Sequence, residues 1–178
     1  MARLSSAKGM ALGAMTVALN VLSVYVASMI PTMRAAVYFL SALFVYVLLC
    51  EKIYGGAILS YIASSLIVFL IVPNKLAVIP YIALLGHFGI FKIFIDRKVK
   101  DKFIGFMLKL IYCNAFTGIA VVLLVFVFEI KDFIASIAIA PWIIALLMQA
   151  VFVALNVLYT LCQQFYVTKL RFLIVSRR

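Results

Sequence analysis

MALGAMTVALNVLSVYVASMI, residues Met10–Ile30, runs for twenty-one residues without a charge. As a helix it measures about 31 Å, close to the hydrocarbon thickness of a bilayer. Lipid offers the backbone no water to bond, so a spanning segment satisfies its own amides and carbonyls as a helix. Further apolar stretches, sixteen to twenty-nine residues long, run over Ala35–Cys50, Ile53–Val72, Leu76–Ile95, Phe103–Phe128 and Phe133–Leu161. Short polar links join them, the longest being Asp96 to Lys102. The chain therefore reads as an all-α polytopic membrane protein. It is a six-transmembrane-helix bundle forming a single integral membrane domain over residues 1–178. Met10–Ile30 follows a short basic segment, but its apolar stretch exceeds a signal-peptide core, so it reads as a retained helix.

The formal charge of +11 is a matter of topology. Arg3, Lys8, Lys52, Arg97, Lys98, Lys100, Lys102, Lys169, Arg171, Arg177 and Arg178 fall on one side of the spans. Only Arg34, Lys75 and Lys131 fall on the other, while Lys92 and Lys109 lie within spans and read as snorkelling side chains. The positive-inside bias places both termini in the cytoplasm. The basic rim suits anionic headgroups of the lipid bilayer. No soluble surface is left for nucleic acid.

Several chemistries are missing. His87 is the only histidine, which leaves no histidine cluster for a metal. No serine lies in a GxSxG elbow, and neither HExxH nor a phosphate-binding Gly-Lys-Ser/Thr loop occurs. No carboxylate sits in the middle of a span. Cys50, Cys113 and Cys162 are widely separated and form no CxxC. The chain reads as a non-enzyme without cofactor or metal, and His87 as a hydrogen-bonded interior residue.

The first span has two faces. Ala7, Ala11, Ala14 and Ala18 share one side at 100° per residue, and Thr16, Asn20 and Ser23 share the opposite side. Asn20 is costly against lipid at mid-membrane, so its side is expected to face the bundle interior. The alanine strip then faces outward. It serves either as a docking groove for a partner or as ordinary packing against the protein's own helices.

Four polar or aromatic residues on the sixth span, Trp142, Gln149, Asn156 and Gln163, stand seven apart and lie along one side. The outer pair, Trp142 and Gln149, either lines a solute cavity or belongs to an interhelical ladder. Tyr25, Tyr81 and Trp142 are expected at the outer interface, where aromatic belts form. With Asn20 and the pair Asn114 and Thr117 of the fifth span, these are the residues available to line a pocket. Pro80, Gly86 and Gly89 predict a bent or closely packed fourth span.

Six helices with both termini inside and Ala7-x-x-x-Ala11 and Ala14-x-x-x-Ala18 on the first helix resemble the substrate-binding S components of energy-coupling factor (ECF) transporters. The segment from Pro73-Asn74-Lys75 through Gly86-His87-Phe88-Gly89-Ile90-Phe91-Lys92 also resembles bacterial membrane proteins grouped with them. The resemblance implies a solute-capture subunit in the bacterial plasma membrane that binds a vitamin or other micronutrient from outside. Asn20, Tyr25, Tyr81, Asn114, Trp142 and Gln149 are then the candidate substrate-binding residues. Ala7, Ala11, Ala14 and Ala18 dock a transmembrane coupling protein carrying two ATPase subunits. The other reading is a membrane scaffold or assembly factor of cell-shape or sporulation type. The chain lacks the Gly-rich run followed by Asp associated with the rod-shape proteins.

Overall fold

The computed structural model describes residues 6–128 and 141–170. Regular structure among them is entirely helical, and six helices are long and apolar enough to cross a membrane. They are α1 (Ser6–Met29), α2 (Arg34–Cys50), α3 (Tyr54–Ile71), α4 (Lys75–Lys98), α5 (Lys102–Phe128) and α6 (Pro141–Phe165). The first five match the expected spans to within a turn. The sixth continues past the expected end at Leu161, to Phe165 and on through a π turn at Tyr166–Leu170. Residues 129–140, including the expected outer segment before Pro141, lie outside the described residues.

Helix ends are closed by specific side chains. Pro31 stops α1, and a short 3-10 turn, Pro31–Met33, leads into α2. Arg34 then reaches back with Nε to the Ala27 carbonyl at 3.3 Å and with its terminal nitrogen to the Ser28 carbonyl at 3.5 Å. Lys75 does the same for α3, bonding the carbonyls of Phe69, Leu70 and Val72. A cation over the last carbonyls of a helix satisfies orphan acceptors and complements the helix dipole. These are two of the three basic residues on the sparsely charged side, so each has a local role there. α2 ends differently. Ile53 N bonds Leu48 O and Lys52 N bonds Leu49 O, with Lys52 in the left-handed region at φ 64°. That is a Schellman closure with lysine where glycine is usual.

α4 is the most buried helix and α2 the next. α1 packs along α2 and α3, α4 packs on α2, and α5 lies against α4. α6 is the least buried and touches α2 and α5 over short stretches.

The fourth span is irregular, as Pro80 and its glycines predict. Pro80 has no N–H to continue the ladder, and a π turn follows at Tyr81–Leu85. Three tyrosines from three other helices cap carbonyls around this break. Tyr38 of α2 donates to Ala77 O, Tyr61 of α3 to Ile82 O at 2.7 Å, and Tyr159 of α6 to Leu85 O at 3.3 Å. Tyr159 is also the centre of an aromatic core, 5.1 Å from Phe39, 5.0 Å from Tyr46 and 5.6 Å from Phe88 between ring centroids. Gly86 and Gly89 admit these rings against the backbone. A Cβ on Gly86 would stand 2.6 Å from Tyr61, and one on Gly89 3.0 Å from Tyr46.

Candidate functional site

The two faces of α1 take the expected orientation. Asn20 is 0% exposed and Thr16 is buried, while Ala7, Ala11, Ala14 and Ala18 are all exposed. The inner side is held against α3, where Ser60 donates to the Gly13 carbonyl at 3.5 Å. No helix of this chain covers the alanine strip among the described residues. It adjoins the exposed side chains of Met10, Met15 and Leu22.

The candidate pocket residues are distributed over separate seams. Asn20 donates its amide to the Tyr81 hydroxyl at 2.6 Å across the α1–α4 contact. Tyr81 therefore lies in the core and not at an outer aromatic belt, because its hydroxyl finds a partner there and its ring packs near Tyr38. Tyr25 is half-buried against the same core. On the other side of the bundle, Gln149 of α6 donates to Asn114 Oδ1 of α5 at 2.6 Å, and Asn114 donates to Leu110 O at 3.0 Å. Among the described residues no hydrogen bond joins the two pairs. The Trp142 side chain lies outside the described residues.

The rest of the α6 polar line is divided between neighbours. Gln163 accepts from the Tyr46 hydroxyl at 3.0 Å, so it ties α6 to α2. Among the described residues Asn156 Oδ1 is buried without a hydrogen-bond partner. Two of the four positions thus act as interhelical hydrogen bonds, as a ladder requires.

Lys92 and Lys109 do not snorkel independently. They converge on Asp96: Lys92 Nζ lies 2.8 Å from Oδ2, and Lys109 pairs with Oδ1. Lys92 is 2% exposed and Lys109 8%. Two buried ammonium groups thus share one carboxylate. Lys92 and Asp96 stand four apart on one helix, a spacing readable in sequence. Lys109 comes from α5, and nothing local signals that it joins them.

His87 is interior, as expected, beside the Ile82 backbone. Among the described residues neither ring nitrogen meets a partner with strict hydrogen-bond geometry. The ring instead packs 4.4 Å from Phe116, 5.5 Å from Tyr112 and 6.0 Å from Tyr61 between centroids. Phe91 stacks on Tyr112 at 3.5 Å, completing an aromatic cluster among α3, α4 and α5. In the sequence each of these rings looks like ordinary membrane-helix composition.

Among the described residues the architecture is all-helical, and its six long apolar helices are those of a multi-pass membrane protein. No known family model matches the chain, and no significant match occurs among curated proteins or solved structures.

Proposed function

We propose that this chain is the solute-binding subunit of an ECF-type uptake transporter in a bacterial plasma membrane, with both termini in the cytoplasm. A vitamin or other micronutrient is its cargo. A transmembrane coupling protein bound to two ATPase subunits docks on Ala7, Ala11, Ala14 and Ala18. The observation that carries the reading is the division of α1: its amide is turned wholly inward and its alanines are left uncovered. Small side chains let a second helix approach closely, which is how membrane helices associate without a hydrophobic driving force.

Ala14→Leu and Ala18→Leu place bulk on an exposed face and leave the internal contacts alone. Each is expected to keep the melting temperature of the parent and to lose copurification with its membrane partner. Retention of the partner by both variants removes the docking assignment. A vitamin panel tests the cargo separately, since a ligand selective for the folded state raises its melting temperature.

A second reading, a membrane scaffold or assembly factor, draws on a different observation. Asn20 with Tyr81 and Asn114 with Gln149 hydrogen-bond one another. Polar groups that pair internally suit a bundle that presents only its surface. Copurification with cell-shape or sporulation proteins and no response to any solute would favour it.

A further inference from the structure

After α6, α5 is the least buried of the six spans. Ile104, Met107, Ile111, Asn114, Gly118 and Val121 on it follow the alternating three-and-four spacing of a heptad seam. At 100° per residue they form one narrow stripe along the helix. Every one of them is exposed, and no helix of this chain covers the stripe among the described residues. α4 takes the other side of α5, where Gly105 and Lys109 are buried.

Asn114 is the member that lipid does not suit. It stands twelve residues beyond Lys102, about 18 Å along the helix, near the middle of the hydrocarbon core. Its amide offers two hydrogens and two lone pairs. Nδ2 gives one hydrogen to Leu110 O, and Oδ1 accepts one from Gln149. Among the described residues, one hydrogen and one lone pair are left over on this exposed side chain. Acyl chains can bond neither. An amide with one donor and one acceptor to spare is complementary to a second copy of itself. Two copies of this chain inserted the same way are related by a two-fold axis along the membrane normal, so their Asn114 amides stand at the same depth. Gly118, one turn further along, has nothing within 4 Å of its Cβ position among the described residues, which lets a second backbone approach closely. Sliding one copy along the other would leave both amides against apolar side chains, so Asn114 also fixes the register.

We propose that two copies of this chain pair in the membrane through the α5 stripe, their Asn114 amides hydrogen-bonded to each other and their helices crossing at Gly118. The three-and-four spacing gives a left-handed crossing of about 20°. The pairing uses a different helix from the alanine face of α1, so the two assignments stand or fall separately.

The test uses the full-length protein, labelled in separate batches with a donor or an acceptor dye at its N-terminus and mixed in phosphatidylcholine vesicles. Energy transfer is expected to exceed that of randomly placed monomers, to fit one-to-one pairing and to fall as lipid dilutes the protein. Asn114→Leu is expected to weaken the association about tenfold, the effect of two interhelical hydrogen bonds of average strength. Gly118→Ile adds bulk to the stripe where no internal contact is lost. It is expected to abolish the transfer and to keep the melting temperature of the monomer, and it decides the matter if Asn114→Leu fails to fold. Ile119→Ala, off the stripe and 54% exposed, is expected to leave the association unchanged. Transfer no higher than that of random monomers overturns the proposal, as does transfer that survives Gly118→Ile or is undiminished in a folded Asn114→Leu. A parent that stays monomeric but copurifies with another membrane protein, and loses it on Gly118→Ile, also overturns self-pairing and assigns the stripe to that partner.

Discussion

Asn20 and Tyr81 hydrogen-bond at 2.6 Å with both side chains fully buried, joining α1 to the first residue of the π turn in α4. The bond spans sixty-one residues of sequence and fixes the rotation of α1 about its axis. Asn20→Ala and Tyr81→Phe are each expected to destabilise the bundle. Their double-mutant cycle is expected to show coupling of about 1 kcal/mol, the upper part of the range for membrane hydrogen bonds. Reversible unfolding in mixed micelles measures it. Additive single effects would show that rotation of α1 is set by apolar packing alone.

Gly86 has no room for a methyl group. A Cβ there would meet the Tyr61 ring at 2.6 Å, and Tyr61 is held by its bond to Ile82 O. Gly86→Ala is expected to cost about 1–3 kcal/mol through displacement of that ring. Gly118 has nothing within 4 Å of its Cβ position among the described residues. Gly118→Ala is expected to be neutral or to stabilise by up to about 1 kcal/mol, by helix propensity alone. Melting both variants side by side distinguishes close packing from a general effect of adding a methyl.

Lys52 closes α2 with φ at 64°, a conformation that disfavours a Cβ. Lys52→Gly is expected to stabilise the protein by about 0.5–1 kcal/mol, because glycine adopts this geometry freely. Lys52 is exposed, so no packing is lost to offset the gain. A lower melting temperature would show that its charge at the end of the bundle outweighs the backbone strain.

Asp96 pairs with two lysines at once. Asp96→Asn leaves both ammonium groups without a counter-charge and is expected to cost about 2–3 kcal/mol. That is below the value for a fully buried pair, since the Asp96 side chain is 39% exposed. The triple substitution Lys92→Met, Asp96→Leu, Lys109→Met removes all three charges together and is expected to cost far less. If the triple variant is as unstable as Asp96→Asn, packing rather than uncompensated charge explains the loss.

Five of the six spans were legible because bilayer thickness sets a length and composition that any segment of sequence displays by itself. The inward turn of Asn20 was legible too, since one amide among apolar neighbours has only one inexpensive direction to face. The irregularity of α4 followed from Pro80 and two glycines. The choice of partners did not follow. Which tyrosines would cap the carbonyls around the π turn, that Lys109 would join Lys92 on Asp96, and that Gln149 would meet Asn114 depend on helix rotation and crossing. Lipid and protein interior are almost equally apolar, so hydropathy does not distinguish the face of a span that meets lipid from the face that meets its neighbours. The sequence by itself determined how many helices form and where the costly polar groups must hide. Only the tertiary structure decided which of those groups meet, because their pairing is a property of helices already assembled.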